Sequence, residues 1–178
     1  MSNFVINPYT FSSLVEIPHE YLPVGATVYD SDVGGIYMVG EGANTTDSLF
    51  YNSYIQSVNF YAYLDNLSNT GTCRAVQMNE SGEEVHEFWS EDIQDLPTAN
   101  QVLTDITPQT PSTVKFEQYH SVGLVSTGDI KMGLTLVCGF DTTETCRITY
   151  TNFDDPSWSR TVNSAPCYDM AFKLVLKK

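Results

Sequence analysis

The sequence predicts an all-β fold, an antiparallel β-sandwich that is jelly-roll-like, with an extended N-terminal arm. Three observations support this. Segments of alternating apolar and polar residues recur about every 8 to 15 residues. Gly, Asn, Asp and Pro residues that favour turns separate them. The 11 Tyr, 9 Phe and 2 Trp among 178 residues suit half-buried pleated sheets better than helices.

Residues 1–48 predict the arm, and residues 49–178 predict the sandwich. Pro8, Pro18 and Pro23 break any helix in the first segment, so we expect extended chain with one or two short strands. Each large apolar side chain left in water would cost roughly 1.5–3 kcal/mol. We therefore expect an assembly interface, or contacts with the chain's own domain, at the apolar side chains Phe4, Ile6, Tyr9 and Phe11.

Alternation in the middle of the chain predicts three strands. Residues 57–64 place Val58 and Phe60 on one face and Tyr61 and Tyr63 on the other. Residues 72–78 alternate again, and the turn sequence NESG at 79–82 leads into a strand over 84–89.

The second half predicts further strands at 113–118, with Val114 and Phe116 inward, and at 130–138, 146–151 and 168–176. Residues 123–126 are too short to assign. The last strand has an apolar face too continuous for an exposed edge, so it is predicted to lie inside a sheet.

Charge and the N-terminus restrict the partners. The net charge is −14, from 22 acidic and 8 basic residues, so nucleic acid and anionic lipid are not expected to bind. The opening MSNFVINPYTF lacks the basic and apolar regions of a signal peptide. No apolar run approaches the roughly 18 residues of a membrane span, so we expect synthesis in the cytoplasm without membrane insertion.

Four cysteines are present: Cys73, Cys138, Cys146 and Cys167. They form no CxxC pair and accompany no histidine cluster, so zinc is not expected. The default expectation is four buried thiols. The alternative is late oxidation, in which Cys138 and Cys146 flank a hairpin turn and Cys73 meets Cys167, and such bridges would form only after release from the cytoplasm.

Catalysis is not predicted, because His19, His86 and His120 lie in no motif with a known mechanism. No cofactor is expected, although a structural calcium ion stays open. Its hard oxygen ligands could come from turn acids, Asp154 and Asp155 among them. The alternative is that these are ordinary turn residues.

Exposed aromatic side chains would favour carbohydrate binding, because sugar C–H faces stack on aromatic rings. The alternative is that these rings fill a sandwich layer or a subunit interface. The candidates for glycan contact are Trp158, Tyr61, Tyr63, Trp89 and Tyr119.

Residues 55–176 resemble the jelly-roll modules of carbohydrate-binding and surface-anchored proteins. The resemblance follows the order IQSVNFYAYLDN, TGTCRAVQMNESGEEV, IKMGLTLVC, a loop with Trp158, and YDMAFKLVL. The opening FVINPYTF resembles the start of many tailed-phage virion proteins.

Together these resemblances imply a bacteriophage structural protein made in the host cytoplasm and located in the virion. We expect a capsid decoration protein on the head surface, favoured narrowly over a tail component. Its expected partners are the major capsid protein, further copies of itself and surface glycans. The alternatives are a carbohydrate-binding module or tail-fibre adhesin domain, and a glycan-active enzyme.

Overall fold

The computed structural model describes the backbone of residues 16–21, 28–33, 38–42, 50–98, 103–136, 146–151, 159–163, 168–170 and 172–177. Side chains are described for residues 50–98, 103–132 and 172–177. These residues contain thirteen strands and one 3₁₀ turn over Ile93–Asp95. The strands are β1 (Glu16–Tyr21), β2 (Val28–Val33), β3 (Met38–Gly42), β4 (Tyr54–Phe60), β5 (Ala62–Tyr63), β6 (Thr72–Met78), β7 (Glu84–Asp92), β8 (Ser121–Ser126), β9 (Ile130–Leu136), β10 (Cys146–Thr151), β11 (Ser159–Asn163), β12 (Tyr168–Met170) and β13 (Phe172–Lys177).

Three antiparallel sheets organise these strands. The six-stranded sheet has the order β11-β10-β3-β8-β6-β7. A three-stranded sheet has the order β1-β13-β4, and the third sheet has the order β12-β9-β2 with β5 also paired to β9. The predicted all-β class with antiparallel strands is confirmed. Its finer arrangement as a jelly roll stays a prediction.

The division at residue 48 stays a prediction, and strand pairing links strands from both sides of it. β1 pairs with β13, β2 pairs with β9, and β3 lies between β8 and β10. Backbone hydrogen bonds therefore tie residues 16–42 into the sheets, because each of these strands completes a ladder begun by strands from later in the chain. The predicted interface residues Phe4, Ile6, Tyr9 and Phe11 lie outside the described residues, and the arm that holds them stays a prediction.

Several strand predictions agree with the structure. β6 and β10 have the bounds that alternation predicted. β13 lies between β1 and β4, as its continuous apolar face indicated, and it buries Phe172, Leu174 and Leu176.

Two predictions in the middle of the chain are wrong or incomplete. Residues 113–118 form no strand and make only an isolated bridge between Ser53 and Phe116. The sequence also left 123–126 unassigned, whereas β8 is a central strand with all six residues buried. A strand that is buried on both faces shows no alternation, and for that reason the period-two pattern could not reveal it.

A single apolar cluster connects the sheets. Its members come from β4, β6, β7, β8, β9 and β13 and from the segments between them. Aromatic rings form its centre: Phe50 lies 5.4 Å from Phe116 and 6.1 Å from Phe172 between ring centroids, and Phe60 lies 6.2 Å from Phe172. Such tilted ring contacts add about 0.5–1.5 kcal/mol per pair to the stability that burial provides.

Residues 103–116, here called the edge segment, cover the side of β4 that faces away from β13. Backbone and side-chain hydrogen bonds attach it to β4 and to the residue before it. Among them are Thr104 N to Phe60 O at 2.9 Å, Val58 N to Gln109 Oε1 at 2.8 Å, Ser112 N to Ile55 O at 2.8 Å, and Phe116 N to Ser53 O at 2.7 Å. A further bond joins Thr110 N to Phe88 O on β7 at 2.9 Å. The edge segment thus satisfies polar groups that an open strand edge would expose.

Two loops cross closely at Gly71 and Gly128. A Cβ atom on Gly71 would lie 2.7 Å from Gly128 N, and one on Gly128 would lie 2.6 Å from the Cδ1 atom of Ile93. Gly71 also has a φ of +149°. Side chains larger than hydrogen do not fit this crossing.

Candidate functional site

Three turns meet at one end of the six-stranded sheet because of strand register. Met78 at the end of β6 pairs with Ser121 at the start of β8. The turn that follows β6, at 79–82, therefore lies beside the turn that precedes β8, at 117–120. The bridge between Ser53 and Phe116 then brings the turn at 50–52 to the same place.

These turns surround a shallow cleft with a volume of about 340 Å³. The cleft, here called the turn cleft, is lined by Tyr51, Asn52, Glu80, Glu117, Gln118 and Tyr119. Tyr119 is 38 % exposed and Tyr51 is half-buried. The cleft therefore combines two accessible aromatic rings with two amides and two carboxylates.

Two lining residues have a left-handed backbone that is uncommon for residues other than glycine. Asn52 has a φ of 60° and Tyr119 a φ of 68°. Asn tolerates this conformation, but a tyrosine in it costs on the order of 1–3 kcal/mol. The surrounding structure must supply that energy, and such residues concentrate at ligand-binding sites.

Hydrogen bonds hold both turns in place. Asn52 N donates to Phe116 O at 2.7 Å, and Lys115 Nζ donates to Asn52 Oδ1 at 2.8 Å. His120 N donates to Glu117 O at 3.1 Å and closes the turn that contains Tyr119. These bonds hold Asn52 and the turn of Glu117 in place at the rim of the cleft.

A buried polar network supports this end of the sheet. Gln77 on β6 is fully buried, and its Nε2 donates to Lys115 O at 3.3 Å and lies 3.3 Å from His120 Nδ1. Ser112 Oγ donates to Gln77 Oε1 at 2.9 Å. The His120 ring also packs edge-on against Phe116, with 5.8 Å between centroids. Since buried polar groups are costly without partners, these bonds fix the segment that leads into the turn cleft.

The chemistry of the lining favours recognition of polar ligands that have flat apolar faces. The six lining residues include no serine, threonine, cysteine or histidine. Aromatic rings can stack on the C–H face of a sugar, while amides and carboxylates bind its hydroxyl groups.

Of the predicted glycan-contact residues that the structure describes, Tyr119 alone lines the turn cleft. Trp89 is 4 % exposed and donates from Nε1 to Val58 O at 2.9 Å, so its prediction as a binding residue is wrong. Tyr63 is 9 % exposed and is likewise unsuited to ligand stacking. Tyr61 is half-buried and bridges to Leu103 away from the cleft. Trp158 lies outside the described residues.

The burial of Trp89 has a local cause that the sequence did not reveal. The register between β6 and β7 shifts so that Ala75 pairs with Trp89 and Val76 pairs with Glu87. This bulge leaves Phe88 opposite no residue, and both Phe88 and Trp89 point into the apolar cluster.

Cys73 is a free thiol buried in the core, and its alternative disulfide with Cys167 stays a prediction. Burial raises the pKa of the Cys73 thiol to about 12, against a smaller lowering by the Arg74 guanidinium. Cys138 and Cys167 lie outside the described residues, and so does the side chain of Cys146, which begins β10.

The described part of the chain contains no group of three or more His, Cys, Asp or Glu side chains arranged to hold a metal ion. Asp154 and Asp155 lie outside it, so the calcium prediction stays a prediction. No helix within the described ranges has the length and apolar character that crossing a membrane requires.

Comparison with protein-family models, with curated proteins and with solved structures gives no match for this chain.

Proposed function

We propose that this protein is a non-enzymatic virion surface protein, of the capsid-decoration type, that contacts glycans through the turn cleft. The observation that carries the glycan contact is the placement of Tyr51 and Tyr119 in one cleft with the amides of Asn52 and Gln118. Glycan-binding sites combine these groups, because aromatic rings cover the apolar sugar face and amides orient the hydroxyl groups.

The backbone of the turn cleft supports a binding role. Tyr119 keeps a left-handed conformation that the bonds to the neighbouring turn and to the buried Gln77 network hold in place. A rigid cleft loses little conformational entropy when a ligand binds, and affinity benefits accordingly.

Binding of glycans by wild type and by variants of Tyr119 tests the cleft. Tyr119→Asn removes the ring and keeps a residue that tolerates the left-handed backbone. We expect it to weaken binding by about two- to tenfold, since one stacked ring contributes about 0.5–1.5 kcal/mol. Tyr119→Phe retains the ring and is expected to bind within about threefold of wild type, because it loses only the hydroxyl group.

Trp158→Ala is the matched control, because Trp158 is the other aromatic residue that the sequence favours for glycan contact. Unchanged binding in Trp158→Ala together with loss in Tyr119→Asn supports the turn cleft. Loss of binding in Trp158→Ala, with Tyr119→Asn unaffected, would refute it. A glycan array that shows no binding by the wild type would also refute it.

The virion role is supported by the resemblance of the opening FVINPYTF to tailed-phage virion proteins. Under this proposal the major capsid protein and further copies of this chain bind the apolar side chains of the first 15 residues. Because β1 begins at Glu16, deletion of residues 1–15 removes these side chains and leaves the described strands intact. We expect the truncated protein to fold, as judged by circular dichroism, and to fail to join particles. Particles that incorporate it as well as wild type would contradict the proposal.

The second candidate is a carbohydrate-binding module or adhesin domain, which the turn cleft favours equally. The same truncation separates the two. A module of this kind would bind glycans without residues 1–15 and would show no association with particles.

A further inference from the structure

We infer that the turn cleft selects uncharged or amine-bearing sugars and rejects sugars that carry carboxylate or sulfate groups. This inference rests on the proposed glycan binding and adds the class of ligand. It follows from the charges that line the cleft and from the position of the nearest described cation.

Among the residues that the structure describes, the ionised groups that line the turn cleft are two carboxylates. Glu80 belongs to the turn between β6 and β7, and Glu117 belongs to the turn before β8. Both side chains are exposed, so a ligand in the cleft meets them directly. The protein as a whole carries a net charge of −14, which adds a repulsive field for any anion that approaches.

Lys115 lies beside the turn cleft and is engaged by one of its lining residues, Asn52. Its Nζ donates to Asn52 Oδ1 at 2.8 Å and lies 5.9 Å from the centroid of the Tyr54 ring. Tyr54 lines a different depression, together with Gln56 and Lys177. The Lys115 ammonium therefore stabilises the turn of Asn52 and does not line the turn cleft.

The arrangement distinguishes between sugar classes by charge. A hydroxyl group or a protonated amine on a sugar can donate hydrogen bonds to the carboxylates of Glu80 and Glu117. A sugar carboxylate or sulfate offers only acceptors and a like charge. Each carboxylate at contact distance should disfavour such a ligand about fivefold in water.

Three soluble oligosaccharides of equal length provide the test: an N-acetylated chitotriose, its free-amine counterpart, and a trimer of galacturonic acid. Titration calorimetry at low and at high salt gives the affinity of each. We expect the galacturonate trimer to bind at least about fivefold more weakly than the other two at low salt, with a smaller difference at high salt because salt screens exposed charges.

The double variant Glu80→Gln/Glu117→Gln keeps hydrogen-bonding side chains and removes both charges. We expect it to reduce the difference between the galacturonate trimer and the N-acetylated trimer to within about twofold, since both repulsive charges are gone. The matched control is Glu91→Gln/Asp95→Asn, which makes the same change in net charge at the opposite end of β7 and in the 3₁₀ turn. It should leave the discrimination unchanged.

The outcomes separate the two proposals. Equal binding of charged and uncharged trimers by wild type, or equal relief by both double variants, overturns the selectivity and leaves the glycan cleft standing. Absence of binding for all three trimers overturns the glycan cleft and the selectivity with it.

Discussion

Gly128→Ala tests the close loop crossing and is expected to destabilise the protein. The added methyl carbon would lie 2.6 Å from Ile93 Cδ1 and in contact with the carbonyl oxygen of Thr70. Neither group can move freely: Ile93 is fully buried and its N–H donates to Gly71 O at 3.0 Å. Ser126 Oγ also donates to Gly128 O at 2.7 Å and fixes the other loop.

Overpacking of this kind costs typically about 1–3 kcal/mol. For a domain of this size, a loss of about 2 kcal/mol lowers the midpoint of thermal unfolding by roughly 4–8 °C. Circular dichroism during heating measures the midpoint, and urea unfolding measures the free energy directly.

Thr70→Ala is the control, because the Thr70 side chain is exposed while its carbonyl oxygen forms the crossing. It should shift the midpoint by less than about 1–2 °C, since surface substitutions usually change stability by no more than about 0.5 kcal/mol. A Gly128→Ala protein as stable as the Thr70→Ala protein would show that the loops do not cross as described.

Three further substitutions test buried groups of the core. Trp89→Phe should lower the free energy of unfolding by about 1–3 kcal/mol and leave glycan binding unchanged, because it removes the donor to Val58 O and leaves space in the core. Ser112→Ala should cost about 1–3 kcal/mol in urea unfolding, since Gln77 Oε1 loses its 2.9 Å donor in a buried site. Cys73→Ala should make the free energy of unfolding fall less steeply as pH rises. The pKa of the Cys73 thiol is about 12 in the folded chain against 9.0 in the unfolded chain, so the thiol does not reduce stability below pH 9. Between pH 9 and pH 12 the thiol lowers the free energy of unfolding by about 1.4 kcal/mol per pH unit.

Each of these has an outcome that contradicts it. Trp89 would be a binding residue after all if Trp89→Phe lost glycan affinity at unchanged stability. A Ser112→Ala protein within about 0.5 kcal/mol of wild type would show that Gln77 finds another donor. For Cys73, identical stability profiles of Cys73→Ala and wild type between pH 9 and 11 would show that the thiol ionises in the folded protein.

Local sequence patterns predicted the strands that are buried on one face. The first half of β6 alternates in burial, because Cys73 and Ala75 enter the core while Arg74 on the opposite face binds Glu84 and Glu87 at 3.0 and 2.7 Å. Its second half, Val76–Met78, is buried on both faces. β8 escaped detection because both of its faces are covered. Alternation of apolar and polar residues indicates a strand with one buried face. It gives no information where both faces are buried, or where a bulge changes which face a side chain occupies, as at Trp89.

Local sequence patterns also explain why only part of the turn cleft could be predicted. Tyr119 could be named from sequence because aromatic residues in polar turns are recognisable. Its neighbours Tyr51 and Glu80 come from turns far apart in the chain. The bridge between Ser53 and Phe116 places Tyr51 beside Tyr119, and the pairing of Met78 with Ser121 places Glu80 there. Register between distant strands is a property of the whole fold, so no short segment encodes it.

During synthesis β4 leaves the ribosome before the edge segment that covers it, and this order affects expression of the protein. Gln109, whose Oε1 accepts a hydrogen bond from Val58 N, lies 51 residues after Val58 in the chain. At a translation rate of about 5–20 residues per second, Gln109 is synthesised roughly 3–10 seconds after Val58, and the edge of β4 stays uncovered during that time. During that interval its hydrogen-bonding groups can template pairing with another nascent copy. Slower initiation during production should therefore raise the yield of monomeric chain relative to swapped or aggregated forms.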